Sequence, residues 1–329
     1  MTDLSDPGAL LRFAPDAARV KKLDRRIHAM LSDSLAHLAE ATTEDGDFAG
    51  RLAALGRQLR DESLRLAPQC FAAYFQTVFH LLTEDLAAAR KAAAPLLSAR
   101  RRPEERDIVG MGLPEASALQ SAWKAAGEDM DQFGPVSAGE VAEFTDLFRR
   151  AMALMADHLP EMQAEIDLLI RQVLLAKSKP SSPIQFDGAS HYQFWGLLVI
   201  NPGFDRSPLE LCEVLAHEAS HSLLFGMTLD EPLVHNADDE LYPSPLRVDP
   251  RPMDGIYHAT YVSARMAFAM NGMAQSLPDA ADRDWARQAA ATDIANFKSG
   301  LSVIDEHGRL SDTGRTILEG ARAYVASLD

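Results

Sequence analysis

The sequence predicts a mainly α fold with a small β hairpin or sheet next to one motif-bearing helix, a non-cupin metalloenzyme architecture. Three observations predict it. Apolar residues recur at spacings of three and four through the first half of the chain. Strand-like runs are confined to the stretch 184–200. Glu213–Met227, EVLAHEASHSLLFGM, holds a single HExxH in a helical context.

Taken in order, Asp16–Ala41 places Val20, Leu23, Ile27, Leu31, Leu35 and Leu38 on one helical face. Phe48–Leu66 and Gln69–Leu97 continue as Ala- and Leu-rich helices, and a shorter helical centre lies between Pro114 and Gly134. Ser137 with Glu140 three residues on has capping-box spacing and opens a helix that ends before Pro160. The next, Pro160–Lys177, begins with Pro in its first turn. At Ser178 the texture changes. SKPSSP is a breaker-rich loop, after which Ile184, Phe186 and Phe194–Ile200 form two short strand-like runs around polar Asp187–Gln193. Asn201-Pro202-Gly203 closes them, and Ser207-Pro208 opens the motif helix. Met227–Arg251 is irregular and acidic; Pro252–Gln275, Ala280–Ile304 and Asp312–Leu328 close the chain as helices. The expected organisation is a helical region, 1–177, with room to bind a peptide, and a metal-binding catalytic region, 178–329, packed as one compact domain.

Composition narrows the function. The 329 residues carry 48 acidic and 32 basic side chains, a net charge of −16. Such a surface repels nucleic acid and anionic membrane. The basic front of Ala99–Arg106, ARRRPEER, is followed at once by acids and reads as a solvated turn. No uninterrupted apolar stretch of about 18 residues is present, and MTDLSDPGALLRF lacks a basic segment followed by a long apolar core. A cytoplasmic protein without membrane partners is expected. Cys70 and Cys212 lie far apart without a CxxC pattern and read as buried apolar residues.

The motif carries the chemistry. His217 and His221, four apart, project from one face of a helix and can bind one metal ion. With ten His in the chain, chance yields about 0.02 such matches, so a metal site is preferred to two incidental histidines. A third ligand is required. There is no HExxHxxGxxH, since position 227 is Met, and no NExxxD follows. His258 on the next helix is the first candidate. His235 and the acids Asp230, Glu231, Asp238, Asp239, Glu240 and Asp254 remain as alternatives. Arg251, in PRPMDGIYH, is placed to clamp a carboxylate through paired hydrogen bonds, or else to pair with Asp249 or Asp254. Arg247 and Arg265 are weaker candidates for the same task. Tyr192, Phe194, Trp195 and Tyr257 either wall the pocket or, as is more usual at such spacings, fill the core.

Together these pieces resemble a family of HExxH-containing peptide-modification proteins found beside ribosomally made peptide precursors. The resemblance rests on Gly196–Pro202 (GLLVINP), Leu215–Leu224 (LAHEASHSLL) and Arg251–Val262 (RPMDGIYHATYV), and is best over Ser178–Met273. It implies an Fe(II)- and 2-oxoglutarate-dependent oxygenase that uses O2 to hydroxylate the β-carbon of a residue in a precursor peptide. On that reading His217 and His221 are iron ligands, and His258 is the third. Arg251 holds the distal carboxylate of 2-oxoglutarate, with Arg265 as the alternative. Glu218 is the acid at the catalytic site, orienting a ligand or a substrate amide. Three histidines would depart from the usual two histidines and one carboxylate. Two rivals stand beside this. One is a zinc peptidase with Glu218 as general base and Tyr257, Tyr261 or His235 as oxyanion donor. The other is a non-catalytic helical maturation or binding factor. The oligomeric state is not legible.

Overall fold

The computed structural model of the protein describes residues 7–61, 64–99, 106–127, 133–179, 186–244 and 249–328. It is mainly α-helical with short strands. In chain order the elements are α1 (Pro7–Leu10), α2 (Ala17–Ala41), α3 (Gly46–Arg60), α4 (Pro68–Leu82), α5 (Leu86–Leu97), β1 (Asp107–Gly110), α6 (Ser117–Ala125) and β2 (Phe133–Gly134). Then come α7 (Ala138–His158), α8 (Pro160–Leu169), β3 (Gln172–Leu175), β4 (Lys177–Ser178), β5 (Gly188–Ala189) and β6 (Leu197–Ile200). The chain closes with α9 (Pro208–Met227), β7 (Leu241–Tyr242), β8 (Arg251–Pro252), α10 (Met253–Ser276), α11 (Ala280–His307) and α12 (Asp312–Ala326).

Two compact units emerge, each built from separated segments. The first comprises Met1–Lys21, Asp146–Leu169 and Arg206–Asp329; the second comprises Lys22–Thr145 and Ile170–Asp205. The change of texture at 177/178 therefore falls inside the second unit.

The second unit holds a four-stranded sheet in the order β1-β3-β6-β5. β1, β3 and β6 run parallel, and β5 returns antiparallel to β6, pairing Gly188 with Ile200 and Ala189 with Val199. β5 thus falls inside Asp187–Gln193, the segment expected to separate the two strands. Ile184 lies outside the described residues, as does most of the Ala99–Arg106 run. Phe194 and Trp195 precede β6 instead of entering it. The helix expected over Pro160–Lys177 ends at Leu169, and Val173-Leu174-Leu175 forms a strand. The reason is burial on both faces: β3 sits between β1 and β6, and an apolar run buried all round has no period to distinguish strand from helix. Gln69–Leu97 is likewise two helices. Asp85 caps the second, accepting from Ala88 N at 2.9 Å, and Glu84 adopts a left-handed φ of 59° in the turn between them. Val109, Leu119, Trp123, Phe133, Leu174, Phe194 and Val199 pack into one core.

In the first unit α10 packs on α9, α11 and α12, and α8 packs on α9. Its centre is ionic. Glu165 on α8 is 1% exposed and bridges Arg19, 1% exposed, and Arg265, 2% exposed. The remaining guanidinium bonds go to the backbone carbonyls of Arg12, Phe13 and Ala14 and to Ser220 Oγ. Arg265 thereby fastens the N-terminal segment to α8, α9 and α10. Each unit also buries one thiol. Burial pushes Cys70, in the second unit, up to about 11, and Cys212, in the first, up to about 12. No helix among the described residues is long and apolar enough to cross a membrane.

Candidate metal centre

The site is built on α9 and α10, both in the first unit. Ser207 caps α9 with its hydroxyl on Glu210 N, and the Glu210 carboxylate returns to Ser207 N at 2.6 Å. Pro208 occupies the first turn, where its missing N–H has no helical partner to lose. Leu211, Leu215, Leu223 and Leu224 are fully buried, so the helix is pinned around most of its circumference. That leaves His217 as the accessible edge of the motif, its side chain 31% exposed.

The Nε2 atoms of His217 and His221 stand 3.2 Å apart. Two nitrogens bound at about 2.1 Å to one ion, at angles between square and tetrahedral, are separated by about 3.0–3.4 Å, so this pair fits a divalent metal. Protonation agrees. Met266 Sδ lies 3.1 Å from His217 Nδ1. A thioether only accepts, so Nδ1 carries the proton and a neutral ring leaves Nε2 bare. Burial, and then the neighbouring His217 and His258, hold His221 well below the ordinary imidazole value; burial also lowers His258. His221 and His258 thus favour the neutral form that a ligand needs.

His258, in the second turn of α10, is brought against His221 with the rings stacked at 5.3 Å. Its orientation differs from the expected one. Its Nδ1 faces His221 Nδ1 at 3.0 Å, the opposite side of that ring from His217. Its Nε2 is 3.9 Å from Asp254 Oδ2. With the three rings so arranged, no set of three His, Cys, Asp or Glu among the described residues converges on one point. The hydrogen bond between His258 Nδ1 and His221 Nδ1 orients the His221 ring, as groups behind a ligating imidazole do.

The other candidates fall elsewhere. Glu218 is 4% exposed, with Oε1 3.9 Å from His217 Nε2. Arg251 forms an ion pair with Asp249 at 3.0 Å, at the entrance to α10. Arg265 does not stand ready for a cofactor carboxylate, because it is buried and bonded to Glu165. Arg247 lies outside the described residues. His235 is exposed in the loop and donates its N–H to Arg309 O at 2.7 Å. Glu231 accepts from Thr313 N and Glu240 pairs with Arg309, while Asp230, Asp238 and Asp239 are exposed. Tyr257 and Tyr261 are fully buried, and the Tyr257 hydroxyl donates to Gly314 O at 2.6 Å. Phe194 and Trp195 are core residues of the second unit; Trp195 Nε1 donates to Asp24 at 3.1 Å, and Tyr192 is exposed.

Sequence reasoning missed Met266, Glu213 and Asp293. Met266 follows His258 by eight residues, two helical steps of four, so spacing placed it on the same face. Glu213 precedes His217 by four. Its carboxyl hydrogen-bonds that of Asp293 on α11, which is 2% exposed. Burial, and then Glu213, push Asp293 up to about 8, from an ordinary 3.8. The folded state holds this proton more tightly than the unfolded one, so the stabilisation is complete below about pH 4 and disappears as pH rises to about 8. Asp293→Asn should therefore flatten the loss of stability over that window by about 1 kcal/mol or more, since each tenfold gain in proton affinity on folding is worth about 1.4 kcal/mol. Denaturant titrations of both proteins across the window check it; equal slopes would refute the shared proton.

In comparison with known proteins, no family model and no curated sequence matches the chain.

Proposed function

We propose that this chain is a metal-dependent enzyme: an Fe(II)- and 2-oxoglutarate-dependent oxygenase that hydroxylates the β-carbon of a residue in a ribosomally made precursor peptide. The observation that carries the metal dependence is the 3.2 Å separation of His217 Nε2 and His221 Nε2, with Met266 behind the first ring and His258 behind the second. The choice of an oxygenase is supported by the resemblance of Gly196–Pro202, Leu215–Leu224 and Arg251–Val262 to the peptide-modification family. Fe(II) bound at this pair would supply the coupling of keto-acid decarboxylation by O2 to hydroxylation of an unactivated carbon.

The chain's own residues do the rest. His217 and His221 would hold the metal through Nε2 and would leave it accessible to the keto acid and O2. Arg251 exchanges its partly exposed partner Asp249 for the distal carboxylate of the keto acid, keeping a charge-assisted pair throughout. Glu218, held beside His217, orients a bound ligand or a substrate amide. The leucines around α9 keep the back of the site dry.

The closeness of Glu218 to His217 Nε2 also favours a second reading, a zinc peptidase in which Glu218 takes the proton of an attacking water. One experiment separates them. Anaerobic protein loaded with Fe(II) should develop a visible charge-transfer band on adding 2-oxoglutarate, lose it in His217→Ala and keep it in Glu218→Gln. If instead zinc stays bound through purification and no band forms, the oxygenase reading falls. Glu218→Gln should then depress peptide hydrolysis by about a hundredfold or more.

A further inference from the structure

The second unit contains an open cleft of about 580 Å³ between α4, α5 and α6, within the range typical of sites for small organic ligands. Its walls are alanine methyls, among them Ala73, Ala92 and Ala122, one face from each helix. Its polar side chains are Gln69, Gln76, His80, Lys91 and Ser121. Gln69 Oε1 is buried without a hydrogen-bond partner. Pro95 has no N–H, so the carbonyl of Lys91, one turn earlier in α5, lacks its usual helical donor; both residues line the cleft. Lys91 brings a positive charge, and no carboxylate stands among the described lining residues, although the chain as a whole carries −16. A ligand that matches the alanine walls, Lys91 and Gln69 Oε1 is apolar over most of its length, anionic at one end, and bears a hydrogen-bond donor close to that end.

We propose that this cleft binds a free N-acyl amino acid, its acyl chain along the alanine walls, its carboxylate on Lys91 and its amide N–H on Gln69 Oε1. The charge complementarity excludes a cationic amphiphile, and the orphaned acceptor distinguishes the ligand from a simple fatty acid, which has no N–H to give. The assignment does not rest on the metal site or on the activity proposed for it.

The test is calorimetric titration of the full chain with N-dodecanoylglycine below its micellar concentration. Saturable one-to-one binding is expected. N-dodecanoylsarcosine, which carries N–CH3 in place of the N–H, should bind about fivefold more weakly. N-dodecanoylglycinamide, which lacks the charge, should bind about tenfold more weakly. Lys91→Gln should weaken the glycine conjugate by the same tenfold and leave the glycinamide unchanged; Ala122→Trp, which fills the cleft, should abolish binding of all three. Lys91 is exposed, so its replacement leaves the core untouched and keeps the test readable if the tryptophan variant does not fold. Absence of saturable binding to the wild type overturns the proposal. So does equal affinity for the three ligands together with indifference to Lys91→Gln, the behaviour of a surface that takes any detergent-like chain.

Discussion

His221→Ala is expected to lower the affinity for a divalent metal by at least about 100-fold, and to do more damage than His258→Ala. His221 stands between the other two rings, with Nε2 toward His217 and Nδ1 toward His258. Its removal takes away one of two nitrogens at ligand spacing and leaves His258 with nothing to orient. Removing His258 leaves both nitrogens in place and deletes only the group hydrogen-bonded to His221 Nδ1. Such supporting partners are worth about 10- to 100-fold in metal affinity, and a ligand should be worth no less. Competition against a chromophoric chelator, with folding followed by circular dichroism, ranks the three single variants. A His258→Ala protein as crippled as His221→Ala would mean that the His258 ring turns to bind metal directly, and the supporting role assigned to it would be wrong.

Glu165→Gln is expected to cost about 3–5 kcal/mol of stability, the range for removing one partner from a buried ion pair. The substitution leaves Arg19 and Arg265 charged in the core, with only backbone carbonyls and Ser220 to receive them. Burial alone would raise the Glu165 carboxyl, but Arg265 and Arg19 outweigh it and hold the group below its ordinary 4.5. The stabilisation is therefore present above that pH and disappears as the solution is acidified through the lower, folded-state value. Wild type should lose stability on acidification more steeply than the glutamine variant. A triple replacement, Arg19→Met with Glu165→Leu and Arg265→Met, should recover most of the loss, since an apolar core of similar volume has no unpaired charge. Glu165→Gln with wild-type stability in urea would show that the guanidinium groups are satisfied without the carboxylate.

Long helices were legible from apolar residues recurring at spacings of three and four. Ala17–Ala41 and Met253–Ser276 match their expected limits within a residue or two, although only the first of these two has a wet face. Helix openings were equally reliable, since the Ser137–Glu140 capping box and the Ser207-Pro208 start act within a few residues and need no distant partner. Asp107–Gly110 and Gln172–Leu175 were not legible. They are strands only because each has the other beside it, 65 residues away in sequence, and a periodicity read locally contains no such partner. The histidine pair was legible for the same reason as the caps. The orientation of His258 was not, because spacing fixes the face a side chain leaves from and says nothing about which ring nitrogen it presents. Arg265 illustrates a related limit: its role was set by Glu165, 100 residues earlier, and not by its distance from His258.

The two buried cysteines give each unit its own clock. A thiol held protonated by burial does not react with a maleimide or an aromatic disulfide until the structure around it opens. Cys212 lies on the motif helix one turn before Ala216, and Cys70 lies at the start of α4 in the other unit. The two labelling rates in one native sample, separated by peptide mapping, therefore time the breathing of the two units independently. Metal added to the sample should slow the first clock and leave the second running at its own pace if the two units open separately.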